Sequence, residues 1–150
     1  MLVLQGAPGE EPVWSLPGGI VEDHELVPEG LAREVYEETG LEIAVLGRVA
    51  YLRQIDNRER VQLIRGRPRA GYLTTIWVFE VDAWTGELGA RDPDGFVTQA
   101  SFVPLDETVE RLRQTPWLEM GADYLEGRIK PGSLHFERWH VDGRITRAIP

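Results

Sequence analysis

Apolar and polar positions along this chain follow two periods, and they mark out its elements. Leu2 to Gln5 reads as a short strand, Ala7 to Pro12 as a loop, and Val13 to Leu16 as a second strand running into Gly18-Gly19. The period then lengthens. Leu31, Val35, Tyr36 and Thr39 fall on one side of a helix that Gly40 stops, with Pro28 suited to its first turn. Glu42 to Leu52 is rich in β-branched and apolar residues and predicts a strand passing back along a sheet. Tyr72 to Trp84 is the strongest strand, with Ile76, Val78, Glu80 and Asp82 on one face and Trp77, Phe79, Val81 and Ala83 on the other. Phe96 to Val103 predicts a further strand, Pro104 to Gln114 a helix ended by Pro116, and Trp117 to Leu125 a short helix. Ser133 to Val141 and Arg144 to Ile149, joined at Asp142-Gly143, predict a hairpin. Strands interleaved with helices make the class α+β.

The polar side of the first helix carries the chemistry. Between Gly19 and Leu41 stand seven carboxylates: Glu22, Asp23, Glu25, Glu29, Glu34, Glu37 and Glu38. Glu34, Glu37 and Glu38 are spaced i, i+3, i+4, so in a helix they share an arc of about 100°. Like charges at that spacing repel by a few tenths of a kcal/mol per pair, and a hard divalent cation with a taste for oxygen ligands removes the repulsion. A solvated acidic face is the plainer reading of the same spacing. Gly18-Gly19 just before the helix is a tight passage able to aim backbone carbonyls at the same point.

Composition narrows the classes. With 150 residues and 42% hydrophobic content, the chain is long enough for one domain, 1–150, with a core of its own. It has no cysteine, which excludes disulfides and thiolate metal sites and fits a cytoplasmic setting. No run is long enough to cross a membrane, and the first ten residues lack the basic start and apolar core of a signal peptide. A net charge of -9 argues against a nucleic-acid polymer as partner and means that an anionic substrate needs a metal or local arginines to approach.

The stretch GIVEDHELVPEGLAREVYEETGL, preceded by LPG, resembles the signature of the Nudix hydrolases, G-x5-E-x7-R-E-U-x-E-E-x-G-U, where U is a bulky aliphatic residue. Gly19, Glu25, Arg33, Glu34, Val35, Glu37, Glu38, Gly40 and Leu41 occupy all nine specified places. His24 and Leu26 depart from the residues common beside the first motif glutamate, so the helix lacks its usual N-cap. The resemblance implies a Nudix fold, an α/β/α sandwich with a mixed sheet between helices. Family members usually have another strand before the one at Leu2, and this sequence begins too late for it: either its start is truncated, or something else fills that place in the sheet. It also implies a hydrolase of nucleoside diphosphates linked to another group, such as a nucleoside triphosphate, sugar nucleotide or dinucleotide. Mg2+ or Mn2+ would be held by Glu37, Glu38 and the carbonyl of Gly19, with Glu34 as ligand or base, and Arg33 would orient the carboxylates. In the family a later carboxylate often joins the site; Glu25, Glu80, Asp92 and Asp94 are the candidates. The alternative is a nucleotide-binding sensor of the same fold, though such proteins usually carry a degraded motif. A Nudix isomerase would need a cysteine that this chain lacks.

Arg53 to Arg69 holds six arginines against Asp56 and Glu59, a local +4. Either it is an arm whose Arg53, Arg65 and Arg67 grip substrate phosphates, or it is a solvated loop. Trp14, Tyr51, Tyr72 and Trp77 suit a stacked base and a core equally. His24, His135 and His140 read as surface or packing residues. The C-terminal hairpin is too apolar for a free tail. It is expected to cover the main sheet, in its own chain or across a two-fold dimer.

Overall fold

A computed structural model describes residues 1–7, 9–59, 62–64, 67–69 and 71–148, with 62–64, 67–69 and 148 described by their backbone. The chain divides into two compact units, residues 1–47 with 81–129 and residues 48–80 with 130–150. Two long strands, β3 (Leu41–Asp56) and β6 (Leu73–Gly86), contribute residues to both.

The first unit is built on β1 (Leu2–Gln5), the middle strand of three. It pairs antiparallel with β2 (Val13–Ser15) on one side and with β7 (Val97–Ser101) on the other. That central place explains why Leu2 and Val3 are fully buried although they open the chain. Helix α1 (Val27–Thr39) packs on β7, and α2 (Leu105–Arg113) packs on α3 (Glu119–Leu125) through a 3-10 turn at Pro116–Leu118. Leu2, Leu112, Leu118 and Ala122 form the buried core, with Trp14, Leu16, Val103, Val109 and Leu125 against it. Trp14 is thus a packing residue, and the Arg111 guanidinium lies over its ring at 4.2 Å.

In the second unit, β3 and β6 belong to a sheet ordered β6-β3-β8-β9. The predicted hairpin is β8 (Ser133–Trp139) and β9 (Ile145–Ala148), and it adds to the main sheet of its own chain. β8 runs parallel to β3, with Tyr51 opposite Ser133 and Asp56 opposite Arg138. β4 (Gln62–Ile64) and β5 (Arg67–Arg69) pair antiparallel.

Arg53, expected on an exposed arm, lies inside β3 and is only 5% exposed. Its guanidinium grips Glu137 of β8, Nη2 at 2.5 Å and Nε at 3.0 Å from the same oxygen. Trp139 Nε1 donates to that oxygen at 3.1 Å, and Arg147 stands 3.4 Å from the other. Burial pushes the Glu137 carboxyl up, but these hydrogen bonds and positive charges outweigh it and hold it below the ordinary glutamate value. Tyr51 is likewise in the core, edge-on to His135 at 6.3 Å, and burial raises its hydroxyl to about 12 against the opposing charge of Arg53. The sequence pattern missed this pair because an arginine and a glutamate 84 positions apart carry no local signal.

Candidate active site

α1 presents the acids as their spacing predicts, but it buries one of them. Val35 and Thr39 face the core, whereas Tyr36, expected beside them, is 41% exposed. Glu38 is 7% exposed and Glu34 and Glu37 are half-buried. The helix start has no side-chain cap from Leu26; the carboxylate of Glu29 accepts from the Leu26 N–H at 2.7 Å instead.

The Gly18-Gly19 passage closes over the acidic face. Gly18 N–H donates to Glu38 Oε2 at 2.8 Å. A side-chain carbon at Gly19 would collide with the Glu34 carboxylate, so a larger residue there would push that carboxylate aside. Arg33 ties the loop to the helix. Its Nε and Nη2 hold Glu25 at 2.7 and 3.0 Å, a two-point grip, and Nη2 also reaches the Ile20 carbonyl at 3.0 Å. Nη1 donates to Glu34 at 3.0 Å and Glu37 at 3.2 Å. The hydrogen bond from Arg33 and the backbone N–H of Glu22 take Glu25 down to about 2, and Glu25 in turn raises Arg33.

Glu38 is in the opposite condition. Burial raises its carboxyl to about 7; the Gly18 N–H works against that, and the charges of Glu34, Asp92 and Glu37 reinforce it. Arg33 donates to three of the surrounding carboxylates but not to Glu38. As placed, no three His, Asp or Glu side chains among the described residues are grouped to hold a metal ion. The donor chemistry nevertheless suits a hard cation: several carboxylate oxygens, one of them buried, with a single guanidinium among them.

The four candidates for an additional carboxylate separate clearly. Glu25 is committed to Arg33. Glu80 pairs with Arg48 at 2.9 Å within the second unit. Asp92 anchors its own loop, accepting from the N–H groups of Phe96 at 2.7 Å, Val97 at 2.8 Å and Asp94 at 3.0 Å. Its charge also acts on Glu38. Asp94 is exposed beyond it. Arg65 lies outside the described residues, and Arg67 is described by backbone alone, in β5. Motif reasoning missed Gly18 as the donor to Glu38, although the paired glycines were the available signal.

The NUDIX domain model matches residues 1–120, and the chain belongs to the Nudix family. In class it is a Nudix pyrophosphohydrolase. Solved structures agree on the fold. The mutator MutT protein from Bacillus halodurans is 19% identical with a TM-score of 0.63, over 96% of this chain and 84% of that one. The E. coli ORF135 protein is 23% identical with a TM-score of 0.56, over 85% and 82%. A NUDIX hydrolase from Nitrosomonas europaea is 23% identical with a TM-score of 0.51, over 87% and 82%. No curated protein matches the chain in sequence. Among the described residues, no helix is long and apolar enough to cross a membrane.

Proposed function

We propose that this Nudix hydrolase cleaves the phosphoanhydride of a nucleoside diphosphate linked to another group. The cation would be Mg2+ or Mn2+, held by Glu37, Glu38 and the carbonyl of Gly19, with Glu34 as a further ligand or as the base. The whole chain, 1–150, acts as one domain on a soluble nucleotide in the cytoplasm; the absence of cysteine fits that setting. The observation that carries the reading is Glu38: a buried carboxylate crowded by Glu34, Glu37 and Asp92, whose only hydrogen-bond donor among the described contacts is the neutral Gly18 N–H. Such an arrangement is costly for the charged carboxylate unless a cation joins it.

When bound, a divalent cation supplies charge neutralisation of the phosphate oxygens and lowers the pKa of water. The protein's own groups do the rest. Arg33 keeps its two-point grip on Glu25 and so holds the loop over the helix. Its single bonds to Glu34 and Glu37 are the ones that open to free those oxygens. Glu34, beside the Gly19 backbone, takes the proton of the attacking water when it is not a ligand. Arg65 and Arg67 meet the substrate phosphates, since a guanidinium fork matches phosphate oxygens. Arg53 is excluded from that task by its burial against Glu137.

A screen of nucleoside triphosphates, sugar nucleotides and dinucleotides with Mg2+ or Mn2+, read as phosphate or pyrophosphate release, tests this. Metal-dependent release from at least one class is expected. Nucleotide binding without release from any class would favour the sensor instead.

A further inference from the structure

The segment after β6 is docked on the last turn of α1, and the docking uses groups that the reaction does not. Gly89 N–H donates to the Thr39 carbonyl and Arg91 N–H to the Glu37 carbonyl, both at 2.8 Å. These are carbonyls that a helix end leaves without partners. Gly40 makes the approach possible. It turns the chain with φ of 73°, and a side-chain carbon there would lie 2.6 Å from the Glu87 carbonyl oxygen and 2.8 Å from that of Gly89. Arg91 then reaches one turn back along the helix. Its Nη1 donates to the Tyr36 hydroxyl at 2.8 Å, and its guanidinium lies over the Tyr36 ring at 5.3 Å. This accounts for an exposed aromatic residue on a helix whose other large side chains pack inward or carry charge. Tyr36 and Gly40 bracket Glu37 and Glu38, and the residue after Arg91 is Asp92, whose loop is fixed by its own backbone hydrogen bonds.

We infer that Arg91 and Tyr36 form a clamp that positions Glu37 and Glu38 for cation binding; the inference rests on the function proposed above. Arg91 is a positioning residue, since it acts through the helix end. A guanidinium there also complements the negative end of the helix dipole. The pair lies on the surface, so its removal changes global stability little. It does free the turn that carries the two carboxylates.

Arg91→Ala, Tyr36→Ala and Tyr36→Phe test it. Mn2+ binding to the protein alone is measured by electron paramagnetic resonance, together with melting temperature, kcat and KM. The alanine variants should weaken Mn2+ binding roughly tenfold, the scale typical of groups that orient metal ligands. Their kcat should fall at low metal and recover at high metal, with KM for the nucleotide unchanged and melting temperature within about 2 °C of the parent. Tyr36→Phe, which keeps the ring and loses the hydroxyl, should fall between. Parental Mn2+ binding in both alanine variants, while the parent binds and turns over, would overturn the clamp and leave the proposed function standing. A loss of binding that tracks a large fall in melting temperature would make the pair a structural fastener and also overturn it. A parent that binds no Mn2+ would overturn both.

Discussion

Two charged clusters in this protein use the same residue types to opposite ends. In the second unit the buried Glu137 has Arg53, Arg147 and the Trp139 N–H around it, and its carboxyl is held below the ordinary value. In the first unit one arginine, Arg33, serves Glu25, Glu34 and Glu37, and the most deeply buried acid, Glu38, is raised to about 7. Burial alone pushes both acids upward; the neighbours decide the outcome. Compensated charge fixes a strand against its neighbour. Uncompensated charge is stability withheld until something positive arrives.

The sharpest way to break the comparison is to neutralise one acid from each cluster. Glu38→Gln and Glu37→Gln should each lower turnover by at least about a hundredfold, roughly 3 kcal/mol or more in the barrier. Both should leave the melting temperature unchanged or higher, since a like-charged neighbour is removed. Thermal unfolding beside a phosphate-release assay checks both halves. Arg53→Met should do the reverse: stability falls by about 3–5 kcal/mol, because Glu137 is left buried without its main partner, while turnover of the folded fraction persists. Denaturant titration measures this, and adding Glu137→Leu should restore much of the loss, since replacing both partners by apolar groups is often nearly neutral.

The fold was legible in the sequence wherever one local period ran long enough. α1, β3, β6, α2 and the C-terminal hairpin lie within a few residues of their predicted places. The candidate site was legible because its carboxylates sit within one motif. What escaped were relations across the chain. The Arg53–Glu137 pair and the parallel placing of β8 on β3 join distant segments, and no local spacing announces them. Tyr36 escaped for another reason: its helical position is compatible with the buried face, but its hydroxyl is satisfied outside, by Arg91.

Smaller effects refine the same contrast. Replacing Arg65, Arg67 and Arg69 together with Gln should raise KM several-fold at low salt and leave kcat alone, as expected when charges bind ground state and transition state equally. Unchanged kinetics would make that segment a solvated loop. The smallest effect concerns acid. The folded Glu137 carboxyl is lowered, so its contribution to stability is fully present above the ordinary value of 4.5 and is lost as pH falls through the lowered one. The parent should therefore lose more stability on acidification below that value than the Arg53→Met/Glu137→Leu double variant. Equal losses would mean that the pair contributes nothing through its charge.

The central claim is that Glu38 is a carboxylate kept for a cation, and one titration tests it most directly. Mn2+ is added to the parent and to Glu38→Gln while bound metal and melting temperature are followed together. The parent should bind saturably and gain melting temperature as it does, and Glu38→Gln should start at or above the parent's metal-free value and respond weakly. If the variant binds Mn2+ as the parent does, or if the parent binds none, the acidic face is only a solvated surface and the account is wrong.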